Sequence, residues 1–519
     1  MDHKYYLGIE LGSTRIKSVL INDNADVVSQ GSYEWENKLV DGLWSYSLDA
    51  VERGIQSSYA SLTEEYEAKY NEKLTKIESI GISAMMHGYL AFDEKDSLLT
   101  PFRTWRNTNT GAAAAALTEL FDFNIPMRWS VAHYYQAVLN GEEHSSKVSF
   151  LTTLAGYVHY RLTGRKVLGI GDASGMFPTD TKGYNKEMLA KFDSLLASKG
   201  INKHFADILP EVLLAGECAG VLTDDGAKFL DPTCTLMPGA ITCPPEGDVG
   251  TGMVATNSTK PRTANVSAGT SAFLMVVLEK ELSRYYPEID VVATPAGAPT
   301  AMVHVNNFTT EITAWTNLFE EVIALGGGNI SRSELFNALY SKSAEGDSRC
   351  GDLMGYNFIA GEPVVGVENG TSLMTRSPEG ILSLANFMKM QIYSALGSLA
   401  IGCEMLKKEQ VAIDSVCGHG GFFKTPKVGQ SAMSAAIGAP VTIMTTAAEG
   451  GAWGIAVLAL FATTSEKNLD QFLAQLFSSA DKFTLSADES EKSDFSNFIE
   501  KYKKGIQVQK LAAEVINYA

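Results

Sequence analysis

Asp248, flanked by glycines in CPPEGDVGTGMV, is of a type and setting suited to proton transfer. A hydroxyl that attacks phosphorus loses its proton as the new bond forms, and an aspartate within hydrogen-bond reach can take it. Aspartate also favours helix N-caps, so the same residue reads as the start of a helix. Three further glycine-rich turns accompany it: Gly12-Ser13-Thr14, Gly269-Thr270-Ser271 and Gly418-His419-Gly420-Gly421. Each could simply be a tight connection, yet hydroxyl-rich glycine turns can also surround an anion with backbone N–H groups. Arg15 and Lys17 follow the first turn and share one face of a strand, either aimed at phosphate or merely solvated. Glu10 ends the strand before that turn, where a carboxylate could hold a hydrated Mg²⁺ or lie at the surface. Met86-His87-Gly88 closes an apolar strand, and FRTWRNTNT after it crowds Trp105 with donors and acceptors suited to a polyol. The histidine also reads as structural, and the polar segment as a surface loop. No G-x-x-x-x-G-K-[ST] is present, so any use of ATP proceeds without that loop.

The elements that must hold these residues follow from pattern. Tyr5 to Leu11 and Ile16 to Ile21 read as two strands of a hairpin. Val51, Ile55, Tyr59, Leu62 and Tyr66 recur at helical spacing and form one apolar face, followed by the buried strand IESIGISA. About half a chain later NVSAGTSAFLMVV repeats the strand, Gly-Thr-Ser turn, strand device, a separation that suggests two related halves. A long helix through EGILSLANFMKMQIYSALGSLAIGCEML, the strand VAIDSVC, the loop GHGGFFKTPK, the strand PVTIMT and the helix EGGAWGIAVLALFA continue an α/β layering. The last fifty or so residues, with ADESEKSD, read as a solvated helical tail.

Composition bounds the answer. The 519 residues give room for several domain-sized units, and 45% hydrophobic with 20% charged residues excludes a mostly disordered chain. A net charge of −18 without a basic cluster argues against nucleic acid and anionic membrane as partners. The 6 cysteines are widely spaced, which fits a reduced cytoplasm, and no apolar run is long enough to span a membrane. The N-terminus enters a strand pattern at once and does not read as a signal peptide.

In their order, these segments resemble the FGGY family of carbohydrate kinases, of the actin-like and hexokinase-like ATPase superfamily. The resemblance runs from about residue 5 to 463 through GIELGSTRIKSVL, GLWSYSLDAV, GISAMMHGYLAFD, DASGM, GDVGTG, NVSAGTSAF, SPEGIL, GHGG and EGGAWG. It implies an α/β fold of two ribonuclease-H-like domains with a ligand cleft between them, drawn here as residues 1–256 and 257–464, with 465–519 as the tail. It further implies that Asp248 is the base and that Gly12, Ser13, Thr14, Arg15 and Lys17 meet phosphate from one side. Gly269, Thr270 and Ser271 would meet it from the other, Gly420 and Gly421 would lie beside the adenosine, and Glu449 to Gly451 would neighbour them. Met86, His87, Gly88, Trp105 and Asp248 would contact sugar, with Glu10 toward the metal.

The activity implied is transfer of the γ-phosphate of Mg²⁺-ATP to the terminal hydroxyl of a ketose, with D-xylulose as the first choice and other pentuloses, hexuloses or polyols as alternatives. ATP, Mg²⁺ and a small sugar are the expected ligands, the cytoplasm is the expected location, and a homodimer is the assembly to test. Two departures bear on substrate. Glu10 stands where aspartate is usual in xylulokinases, and Trp105-Arg106-Asn107-Thr108-Asn109 replaces a usual acid and base by amides. A non-catalytic sugar sensor and an actin-like nucleotide switch are the rival readings.

Overall fold

The computed structural model describes residues 4–425, 427–444 and 450–516. Two compact units divide the chain: Met1–Lys260 with Val291–Thr300 and Glu449–Ala480, and Pro261–Asp290 with Ala301–Ala448 and Asp481–Ala519. Both are discontinuous, whereas cuts at 256/257 and 464/465 follow chain order.

In the first unit the strand Tyr6–Leu11 pairs antiparallel with Arg15–Ile21 and parallel with Ser79–Ala84. Leu7, Ile9 and Leu11 are fully buried on one face of the first strand and join a single core with Val51, Ile55, Tyr59, Leu62 and Tyr66. Those five residues are the apolar stripe of the helix Leu48–Tyr70, which Ser47 caps by accepting the Ala50 N–H and left-handed Asn71 ends. The sheet's other face is covered by the helix Gly450–Phe461, whose sequence GGAWGIAVLALF is apolar all round and buried from Gly451 onward. A sheet covered on both faces buries both sides of its strands, and SIGISA is buried throughout, with the small residues Ser79, Gly81 and Ser83 alternating with Ile80, Ile82 and Ala84. Gly8 permits the close approach of that helix: a Cβ there would stand 2.1 Å from the Ala452 carbonyl oxygen.

The second unit repeats the plan. Thr263–Ala268 pairs antiparallel with Ala272–Val277 and parallel with Ser415–His419, which pairs parallel with Val441–Met444. The helix Leu384–Lys408 is buried along most of its length. Here the C-terminal segment departs from the solvated tail read from sequence. Lys482–Leu485 is a strand on Val441–Met444, and Phe495, Phe498, Ile499, Tyr502 and Ile506 of the helix Glu489–Val515 enter the unit's core. Their spacing is that of one helical face, obscured in the sequence by the charged residues between them. Among the described residues no helix is long and apolar enough to cross a membrane.

Candidate functional site

The short strand Glu246–Gly247 pairs with Ser83–Ala84, so the residues that follow each strand emerge together: Asp248 from one and Met86 and His87 from the other. Asp248 is the first residue of the helix Asp248–Ala255. Its Oδ1 accepts the N–H groups of Met86 at 3.1 Å and Val249 at 3.0 Å. Burial raises its pKa above the ordinary aspartate value, and these two donors oppose the rise. A partly buried carboxylate fixed at one oxygen keeps its other oxygen for a proton.

Glu10 is the last residue but one of the first strand and lies directly opposite Lys17. Its Oε2 accepts the Ala452 N–H at 3.1 Å. Burial pushes its pKa up to about 7, with the negative charge of Asp248 as the next cause and Lys17 opposing. Two mutually repelling carboxylates in a poorly hydrated setting fit a divalent cation, which would relieve the repulsion. Among the described residues no group of three or more acidic, histidine or cysteine side chains could cage a metal. Glu10 is the carboxylate that would hold such a cation.

His87 is left-handed (φ 69°) and buried. Its Nδ1 lies 3.1 Å from the Gly175 carbonyl oxygen, and because a carbonyl only accepts, that nitrogen carries the proton and Nε2 is the acceptor. Burial first and the nearby Arg128 charge second hold its pKa down at about 3, so the ring is neutral. Gly88 is fixed through its carbonyl, which accepts the Ser130 hydroxyl at 2.5 Å.

The first glycine turn lies beside this group. Trp105, 38% exposed, donates its indole N–H to the Ser13 hydroxyl at 3.3 Å. Asn107, which from the sequence alone could alter sugar choice, is buried and occupied: its Oδ1 accepts the Trp44 N–H, and its Nδ2 donates to the Trp44 and Thr104 carbonyls. Arg106 stacks on the Trp44 ring at 3.8 Å. Arg15 reaches Glu34 at 3.1 Å, its cross-strand partner in an exposed pair, while Lys17 is partly buried near Glu10. Their common strand face does not give them a common environment.

In the second unit Gly420 (φ 105°) packs against the end of the strand preceding Gly269. A Cβ at Gly420 would stand 2.4 Å from the Ala268 carbonyl oxygen, whereas one at Gly421 would meet nothing. The Gly269 turn and the Gly420-Gly421 loop are thus neighbours. Glu449 lies outside the described residues.

Sequence reasoning missed a buried acidic pair behind Asp248. Glu246 accepts the backbone N–H of Gly171 at 3.3 Å and of Asp172 at 2.9 Å. It sits in a glycine cradle: a Cβ on Gly169 or Gly171 would come within 2.2 or 2.4 Å of its carboxylate. Asp172 Oδ2 accepts the Thr153 hydroxyl at 2.6 Å, while its Oδ1 and the Tyr184 hydroxyl are buried without a hydrogen-bond partner. Burial raises Asp172 to about 7 and Glu246 to about 8, with like charge adding in each case. DASGM and the adjacency of Glu246 to Asp248 were the only available signals.

These carboxyls set a pH dependence of stability. Raised carboxyl pKa values mean that the folded chain keeps protons the unfolded chain has released, so they lower stability as pH rises toward the folded values. Buried His87, His133 and His159, all depressed, work in the opposite direction, but only up to the unfolded histidine pKa near 6.5. Between about pH 6.5 and 8.5 the carboxyls act alone of the two sets. The melting temperature should fall there by roughly 5 °C or more, and less in Glu246→Gln. A melting temperature that climbs across that window would contradict the assignment.

Models of the FGGY family of carbohydrate kinases match this chain twice, the N-terminal domain over residues 5–233 and the C-terminal domain over 264–463. The chain belongs to the FGGY family of carbohydrate kinases. Curated relatives include Bacillus subtilis xylulose kinase, 24% identical over 298 residues (54% of each chain), and Bacillus subtilis gluconokinase, 24% identical over 289 residues (53% of this chain and 52% of that one). The chain spans about half the length of the curated relatives it matches. Among solved structures, xylulose kinase from Lactobacillus acidophilus aligns with TM-score 0.81 at 15% identity, covering 99% of this chain and 100% of that one. Plasmodium falciparum glycerol kinase with ADP aligns at 0.76 and 12%, covering 98% of both. These likenesses show that this chain has the two-domain α/β fold of those structures.

Proposed function

We propose that this FGGY protein transfers the γ-phosphate of Mg²⁺-ATP to the terminal hydroxyl of a ketose, with a pentulose such as D-xylulose as the leading substrate. The observation that supports it most is the Asp248 carboxylate, held by the Met86 N–H beside a neutral, oriented His87. Asp248 takes the proton of the attacking hydroxyl as the oxygen–phosphorus bond forms. The neutral His87 offers Nε2 as an acceptor to a sugar hydroxyl, and the exposed Trp105 ring offers an apolar face to its carbons. In each glycine turn the donors for phosphate oxygens are the N–H groups beyond those of Gly12 and Gly269, which close their turns on the Arg15 and Ser271 carbonyls. Mg²⁺, held on the Glu10 side, would supply charge neutralisation of the triphosphate when bound. A domain boundary near 256/257 and a cytoplasmic location belong to the same proposal.

A second reading, phosphorylation of a sugar acid such as gluconate, is favoured by a gluconokinase matching at the same 24% identity as a xylulose kinase. A coupled ADP-release screen over pentuloses, hexuloses, polyols and gluconate decides between them. The proposal expects a pentulose to give the highest kcat/KM. A gluconate maximum would replace it, and no ADP release with any sugar despite ATP binding would favour a sugar sensor.

A further inference from the structure

The two glycine turns share a feature that their glycines do not explain: their carbonyl oxygens accept hydrogen bonds from residues outside the turn. In the first turn the Trp35 indole N–H donates to the Gly12 carbonyl at 2.7 Å, the Tyr46 hydroxyl to the Ser13 carbonyl at 2.6 Å, and the Trp35 backbone N–H to the Thr14 carbonyl at 3.1 Å. Trp35 and Tyr46 stack with ring centroids 4.0 Å apart, so the two donors reinforce each other's placement. In the second turn the Thr309 hydroxyl donates to the Gly269 carbonyl at 2.7 Å, and the backbone N–H groups of Phe308 and Thr309 donate to the Thr270 carbonyl at 2.8 and 3.2 Å. Different residues in different folding units thus achieve one result.

A carbonyl oxygen facing a polyphosphate repels it, whereas an N–H attracts it, and a short turn rotates both together. The Gly12 and Gly269 N–H groups close their own turns on the Arg15 and Ser271 carbonyls, each at 3.0 Å. We propose that Trp35, Tyr46 and Thr309 are positioning residues, which in each turn tie the Gly, Ser or Thr carbonyls and so orient the remaining N–H and hydroxyl donors of that turn for the phosphate it meets. The inference rests on the ATP-dependent reading above. Ser13 adds to it: its hydroxyl oxygen accepts the Trp105 N–H, so its own proton is the group left to donate.

Trp35→Phe, Tyr46→Phe and Thr309→Val each remove one donor and keep the ring or the branched shape. By calorimetry with Mg²⁺-ATP each should weaken Kd about five- to tenfold, the loss expected for one hydrogen bond. Melting temperatures should stay within roughly 3 °C of wild type, and KM for the best sugar within about twofold. Unchanged nucleotide Kd in all three variants overturns the proposal. So does a loss of sugar and nucleotide affinity together, in step with melting temperature, since that marks a merely structural brace. If the wild type binds Mg²⁺-ATP but phosphorylates no sugar, the kinase reading fails while the Kd ratios still judge the brace. If it binds no nucleotide, both fall.

Discussion

Asp248→Asn should reduce kcat by about 10²–10⁴-fold, the range for loss of a positioned general base, while Kd for Mg²⁺-ATP stays within about twofold. Asparagine keeps an oxygen that can accept the Met86 and Val249 N–H groups, so the turn is preserved and only basicity is removed. Folding should be intact or slightly firmer, because the substitution replaces a carboxyl that burial disfavours in its charged form by a neutral amide. Coupled-assay kinetics and calorimetry on one preparation separate the two effects. A kcat within tenfold of wild type would remove Asp248 from the base role, and a large loss of nucleotide affinity would reassign it to phosphate or metal binding.

Asp248 was legible as a candidate base because its glycine neighbours and acidic type are local properties of the sequence. The same holds for the first hairpin and its repeat, and for the helix whose Val51 to Tyr66 stripe is now found buried. What escaped was every residue whose role depends on a partner far along the chain. Glu246 reads as an ordinary charge until the strand pairing with Ser83 brings it under Gly171, 75 residues away in sequence. Trp35 and Tyr46 look like exposed-strand and loop aromatics until their donors meet Gly12 and Ser13. Asn107 failed in the other direction. Its position in a polar loop suggested sugar recognition, yet its amide is committed to the backbone of Trp44. The C-terminal helix was misread because Lys and Glu between Phe495 and Ile506 dominate the composition, while one face alone enters the core. Composition averages over faces; packing does not.

Gly8→Ala should be strongly damaging for a single added methyl in the first unit. The added Cβ would lie 2.1 Å from the Ala452 carbonyl oxygen, 2.7 Å from the Ala456 nitrogen and 2.9 Å from the Ala456 Cβ. Two of these are backbone atoms, so no rotamer change relieves the contact, and the buried helix must move off the sheet. Overpacking of this kind costs about 3 kcal/mol, or roughly 5–10 °C of melting temperature in a unit of this size. Gly252→Ala supplies the contrast. It lies in the helix Asp248–Ala255 with open space where its Cβ would be, and should raise stability by about 0.5–1 kcal/mol through the unfolded state. The damage at Gly8 also reaches chemistry. The displaced helix carries the Ala452 N–H that Glu10 accepts, so kcat measured well below the melting temperature should fall as Glu10 loses its fixed partner. The glycines therefore divide into two kinds: those in the turns proposed to meet phosphate, and those such as Gly8 that let a helix approach the sheet. Wild-type melting and kcat in Gly8→Ala would show that the helix does not approach so closely and would return Gly8 to the ordinary residues of the strand.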